Sequence, residues 1–175
     1  MTSVPSVSYR GRAIGTFRHV SVFLMETAAR FVPTTPEMEA KVVLGTHIWD
    51  FAQAADALGR RTFELRRPLH FMTPPSAAFR AVLDELASVE ETGARFSRLY
   101  KGVLPALDAA YARYLEETDP ILDGPSVSVI GRIRADLARV IRQGNDFAAT
   151  SNPDEDGFAG RAREAAGSMI REEAE

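Results

Sequence analysis

The sequence predicts an all-α protein, an antiparallel four-helix bundle with a long crossover between its second and third helices. Three observations predict it. Apolar residues recur at three- and four-residue spacings over four long stretches. No stretch alternates as a strand does; Val127-Ser128-Val129 alternates only inside a helical period. A proline-rich segment at 60–75, long enough to cross a bundle, separates the second stretch from the third. At 175 residues the chain fits one domain.

Residues 1–12 hold Pro5 and several serines and are expected to form an extended arm. The first helix spans about 15–31, with Phe17, Val20, Leu24, Ala28 and Phe31 on one face. Pro33 and Pro36 end it and open the next. Thr35 is a candidate cap, Pro36 suits a first helical position, and Glu37 and Glu39 favour the positive end of the dipole. The second helix runs from 36 to about 58, and Gly59 reads as its stop. Ser76 opens a third pattern that continues to 117, bent near Gly102 and Pro105. Asp123-Gly124-Pro125 makes a turn before a fourth helix at 125–143. Residues 151–156 form a polar, acidic linker, and 157–175 a weakly helical tail. The expected organisation is an arm at 1–12, a bundle at 13–147, and a linker with tail at 148–175.

An apolar fraction of 45% and a charged fraction of 26% argue against a disordered or fibrous chain. No apolar run approaches the ~18–20 residues that a membrane span needs. The net charge is −3, and the 19 arginines are scattered rather than clustered. A nucleic-acid binder needs a basic excess or stripe, so neither a nucleic-acid nor a membrane partner is expected. Cysteine is absent, which excludes disulfides, thiolate metal ligands and cysteine nucleophiles. The first twelve residues lack the apolar core of a secretory signal, and a cytoplasmic location is the expectation.

Function turns on which ionisable side chains fall inside the apolar stripes. In the third helix Glu90 follows Leu86 and precedes Gly93 in a stripe that includes Phe79, Val82, Tyr100, Leu104, Leu107 and Tyr111. An inward carboxylate must be paired, hydrogen-bonded, protonated or metal-bound. In the second helix Glu39, Val43, His47, Asp50 and Ala54 share an arc of about 80°. His47 and Asp50 are one turn apart. They make either a proton-handling or ligating pair, or a structural histidine bonded to its neighbour. Asp136 stands at the edge of the core face of the fourth helix, aimed inward or paired with Arg132 on the surface. Glu26 pairs with Arg30 or, if the first helix is buried all round, turns inward. Trp49 lies on another face, and His70 sits in the crossover, where it could line a pocket mouth. Tyr100, Tyr111 and Tyr114 suit a core or an interface. There is no phosphate loop, no Gly-x-Ser-x-Gly elbow and no His-Glu-x-x-His.

The segment from His47-Ile-Trp-Asp-Phe-Ala-Gln-Ala-Ala-Asp-Ala to Leu58, followed by Glu64-Leu65-Arg66, resembles the second helix of bacterial ferritin-like domain proteins. So do Tyr111-x-x-Tyr114 leading into Thr118-Asp119-Pro120, and Asp123-Gly-Pro-Ser-Val127. The resemblance covers about 15–145. It implies a ferritin-like bundle, in whose metal-binding members two iron or manganese ions are held by a Glu from each of two helices and a Glu-x-x-His from each of the others. This chain departs from that set. The second-helix pair would fall at Phe51 and Ala54, the fourth-helix pair near Asp136 and Arg139, and no Glu-x-x-His occurs anywhere. An Arg139 at such a site repels metal and instead neutralises a carboxylate or binds an anion.

The expectation is therefore a ferritin-like bundle without its paired metal, whose pocket performs acid/base chemistry on a small organic molecule. His47, Asp50, Glu90 and Asp136 would be catalytic, and Arg139, Tyr100, Trp49 and His70 would contact substrate. No cofactor is expected. The alternative is an iron or manganese oxidase using Glu26, His47, Glu90 and Asp136. A non-catalytic helical module is the third reading. A homodimer through the two apolar sides of the first helix is also expected.

Overall fold

The computed structural model describes residues 5–148 and 157–170, and among them every regular element is helical. The first element, α1, runs Val7–Thr34. It starts earlier than the apolar period indicates, because the Ser6 hydroxyl accepts a hydrogen bond from the Tyr9 N–H at 3.1 Å and caps it. The expected extended arm is thus helical from Val7, with Arg10, Gly11 and Ala13 buried; residues 1–4 lie outside the described residues. Pro33 is accommodated in the last turn. Thr35 closes α1 rather than capping the next helix, since its hydroxyl donates to the Phe31 carbonyl at 2.8 Å.

The second element, α2, spans Met38–Glu64. Gly59 does not end it. A Cβ there would collide with the His70 ring, so this glycine permits close packing of the crossover. The helix ends instead at Arg66, whose φ of 61° is left-handed. The Arg67 N–H bonds the Thr62 carbonyl, and the Arg66 N–H the Phe63 carbonyl, which is a Schellman closure built without glycine.

The expected long third helix is four pieces. Helix α3 is Ala77–Ala87 and α4 is Thr92–Phe96; a π-helical segment at Ser97–Val103 leads into α5, Leu104–Glu117. Ser76 caps α3 as expected. The break after Ala87 is held by Glu91, whose carboxylate accepts the N–H groups of Gly93 and Ala94 at 2.8 and 2.5 Å. The widened turn precedes Pro105, which has no N–H to offer the carbonyl four residues back; the Leu104 N–H bonds the Leu99 carbonyl, five back.

Helix α6 spans Gly124–Ala148 and α7 Phe158–Gly167. The linker expected at 151–156 lies outside the described residues. The tail after it is more than weakly helical: Phe158, Ala162, Ala166 and Met169 are buried against α3, α5 and the π segment. Each such large apolar side chain contributes roughly 1.5–3 kcal/mol.

Helices α1 and α2 pack along their lengths, and α6 lies against α2, α5 and the π segment. Phe17 of α1 touches the rings of Tyr111 and Tyr114 of α5 at 4.6 and 5.8 Å. On the second apolar side of α1, Phe23 and Met25 are half-buried, packed in part against the core. Among the described residues, no helix is long and apolar enough to cross a membrane.

Candidate functional site

A pocket of about 170 Å³ lies between α1, α2, α5 and α6. Its walls are apolar, with Leu24 and Phe51 facing Leu107, Ile133, Leu137 and Val140. Asp50, Gln53, Arg132 and Asp136 are its charged and polar contributions from α2 and α6, while Ser21 and Tyr111 are those from α1 and α5. Tyr111 is 1% exposed, and its hydroxyl has no hydrogen-bond partner. The nearby Ser21 hydroxyl donates its own proton to the Phe17 carbonyl at 3.0 Å. Burial pushes the Tyr111 phenol well above its ordinary value, opposed by Ser21 and reinforced by Asp108, so it stays protonated.

Beside this pocket, a polar chain links α2, the π segment and α6. His47 is 1% exposed. Its Nδ1 accepts from the Tyr100 hydroxyl at 2.7 Å, and its Nε2–H donates to Gln143 Oε1 at 3.0 Å. Arg139 Nη1 also donates to Gln143 Oε1, at 3.3 Å, which agrees with that amide orientation and hence with the tautomer. Arg139 grips Asp50 through Nη2 at 2.6 Å and Nη1 at 3.4 Å. Burial lowers the His47 pKa; Gln143 and Asp50 oppose the shift, and Arg139 adds to it. Burial raises Tyr100, with Asp50 adding to it. Both groups are therefore neutral at pH 7. Gly144 is essential to this geometry, since a Cβ there would strike the Tyr100 ring.

The expected residues thus divide. His47, Asp50, Arg139 and Tyr100 come together, with Asp50 bonded to Arg139 and not to His47. His47 and Tyr100 stand outside the pocket lining, and neither imidazole nitrogen is free for a substrate. Asp136 lines the pocket with its side chain 68% exposed, and lies 3.7 Å from Arg139 rather than pairing with Arg132. Glu90 is exposed, because the chain breaks where an unbroken helix would have turned it inward. Trp49 is 67% exposed on a face of α2 that also presents Met38 and Val42. His70 is on the surface of the crossover over Gly59, with a left-handed φ of 59°, and does not line the pocket. Glu26 is exposed, and Arg30 donates to Thr27 instead.

The residues named for iron or manganese therefore do not fit a paired centre. Glu26, Glu90 and Asp136 are exposed on different elements, and both His47 nitrogens are engaged. Among the described residues, no group of three or more histidines and carboxylates is placed to hold a metal ion.

Sequence reasoning missed Gln143, although it sits one turn beyond Arg139 on α6. It also missed a second buried network. Asp123, fully buried, accepts from Tyr114 at 2.6 Å, Thr118 at 3.0 Å, Ser126 at 2.7 Å and Arg61 at 2.9 Å. Arg61 reaches Ser126 and Glu64 as well. Burial pushes the Asp123 carboxyl up, but these donors outweigh it and hold it below the usual carboxylate range. All four lone-pair directions are used, so this cluster presents nothing to a ligand.

Comparison with protein-family models, curated proteins and solved structures returns no match to this chain.

Proposed function

We propose that the chain is a ferritin-like bundle that takes a small organic molecule into the space between α1, α2, α5 and α6, and handles protons there without a metal. The observation that carries this reading is the pocket itself. Apolar walls enclose about 170 Å³, with a carboxylate from each of α2 and α6 and an unpaired phenol from α5. This mixture of apolar surface and a few convergent polar groups is the usual composition of a small-molecule site. Asp50 is the proton acceptor within reach of such a molecule, and the neutral Tyr111 phenol polarises an oxygen on it. His47 acts through others: it and Arg139 share Gln143 Oε1, and Arg139 aims Asp50.

The Arg139–Asp50 contact favours a second reading, binding without turnover, because the guanidinium already occupies both carboxylate oxygens. The test is a single-ring fragment series screened by ligand-observed NMR, followed by product analysis with any binder. Binding that Ala54→Leu blocks supports the site. Turnover lost in Asp50→Asn, with binding retained, selects catalysis. Iron or manganese co-purifying as a paired centre would overturn the metal-free reading.

A further inference from the structure

Among the described residues that line this pocket, Tyr111 is the one whose buried side-chain polar atom lacks a hydrogen-bond partner. A phenol hydroxyl carries one donor and accepts as well. Its counterpart on the same helix, Tyr114, donates to Asp123 at 2.6 Å. The Tyr111 hydroxyl donates to nothing, although its residue is 1% exposed. Buried hydroxyls without a partner are rare in native proteins, and each calls for a cause. The Ser21 hydroxyl beside it gives its own proton to the Phe17 carbonyl; its oxygen keeps lone pairs and acts on the phenol, but makes no hydrogen bond of normal geometry with it.

The pocket's gradient adds direction. Arg132 and Asp136, exposed on α6, mark the mouth, and the buried Tyr111 and Leu24 mark the inner end. A molecule that fills the space buries its apolar part among Leu24, Leu107, Ile133 and Val140, with one end at Tyr111. An anionic end would lose its hydration there without meeting a cation, because Arg132, the cation of the lining, is exposed at the mouth. A neutral oxygen meets that single donor at little cost. The volume is close to the roughly 150 Å³ of cavities that hold one benzene ring.

We infer that the molecule accepted here is a single-ring-sized apolar compound carrying a neutral hydrogen-bond acceptor, foremost a carbonyl oxygen, and that Tyr111 is the donor that selects it. This deepens the proposed function and rests on the pocket being the ligand site.

Acetophenone and cumene test it, since they share a shape and differ in the oxygen. Both are titrated into the full chain, wild type and Tyr111→Phe. The acetophenone-to-cumene affinity ratio is expected to fall about five- to tenfold in the variant, the worth of one hydrogen bond. The infrared carbonyl stretch of bound acetophenone is expected at lower frequency in the wild type than in the variant. An unchanged ratio with an unshifted stretch, while both probes still bind, overturns the inference and leaves the pocket reading standing. If neither probe binds, or if binding survives Ala54→Leu (or Val129→Phe, should that first variant not fold), both readings fall. A Tyr111→Phe chain that does not fold also overturns the inference, because the hydroxyl would then have a structural partner.

Discussion

Tyr114 and Tyr111 stand one turn apart on α5, both buried, both against Phe17. Around Tyr114, every polar group is answered: Asp123 takes four donors, and Arg61 spreads its guanidinium over Asp123, Ser126 and Glu64. Around Tyr111, apolar walls leave a cavity and an unanswered hydroxyl. The chemistry of the two rings is identical, so their surroundings decide their roles. A fully satisfied polar cluster specifies structure, because any rearrangement strands a buried group. A partly satisfied one beside a void has an opening for something else.

Breaking the satisfied cluster carries the largest expected effect. Asp123→Ala leaves Arg61, among the described residues, with the surface Glu64 as its ionic partner and strips Tyr114, Thr118 and Ser126 of their acceptor. A loss of about 3–5 kcal/mol is expected for removing one partner of a buried pair, read by denaturant unfolding. Because the folded-state carboxyl lies below its unfolded value of about 3.9, its stabilisation is present above that pH. It is lost as pH falls through the folded value. Asp123→Asn should flatten that acid limb. A variant as stable as the wild type would mean the cluster is ornamental.

The His47 network comes next. His47→Ala removes a ring and two hydrogen bonds, which predicts a loss of about 2–4 kcal/mol. The folded-state imidazole is held below its unfolded value of about 6.5, so the unfolded chain binds the extra proton first. Stability therefore declines as pH drops from about 6.5 toward the folded value, and levels off below it. His47→Gln should reduce that decline to the part that His19, also held low by burial, contributes. A wild-type stability that is flat between pH 7 and 5 would sink the assignment of a buried, neutral His47.

Much of this was legible in the sequence, and the failures have identifiable causes. Helical class followed from periodicity because α1, α2 and α6 each bury one continuous stripe. Helix angles put His47 and Asp50 one turn apart on α2, but they do not bond each other: Asp50 pairs with Arg139, which entered only through the resemblance, and His47 bonds Tyr100 and Gln143. The angles failed for Glu90 because angle counting assumes an unbroken helix, and Glu91 capping α4 resets the phase. Gly59 was misread because a glycine that permits close packing looks like a glycine that ends a helix. The left-handed residue that does end α2 is Arg66, for which composition gives no warning. The segments Tyr111-x-x-Tyr114, Thr118 and Asp123–Val127 stood out as a motif. They stand out physically because Tyr114, Thr118, Asp123 and Ser126 form one buried network, whose partner Arg61 is distant in sequence.

Arg139→Ala probes the link between the networks and the pocket. The guanidinium is about a third exposed, so the pair with Asp50 is worth only about 1 kcal/mol. Denaturant unfolding of wild type and variant measures it, and a loss as large as that of Asp123→Ala would mean the pair is buried rather than rim-exposed.

The smallest effect is the most discriminating, because it reverses sign between the two rings. Tyr114→Phe deletes a donor to a buried carboxylate and should cost about 2 kcal/mol. Tyr111→Phe deletes a hydroxyl that bonds to nothing in the free protein, and relieves a desolvated polar group. Its stability should stay level or rise by up to about 1 kcal/mol. Identical atoms are removed one helical turn apart, so neither propensity nor side-chain volume can account for the difference. Only the presence of an acceptor can. Parallel thermal or denaturant unfolding of the two variants decides it: equal losses would mean that Tyr111 is bonded in solution and the cavity beside it is a packing defect. A loss at Tyr114 alone would mean that the fold tolerates an unspent donor at the inner end of its pocket, as it must if that donor serves a bound molecule.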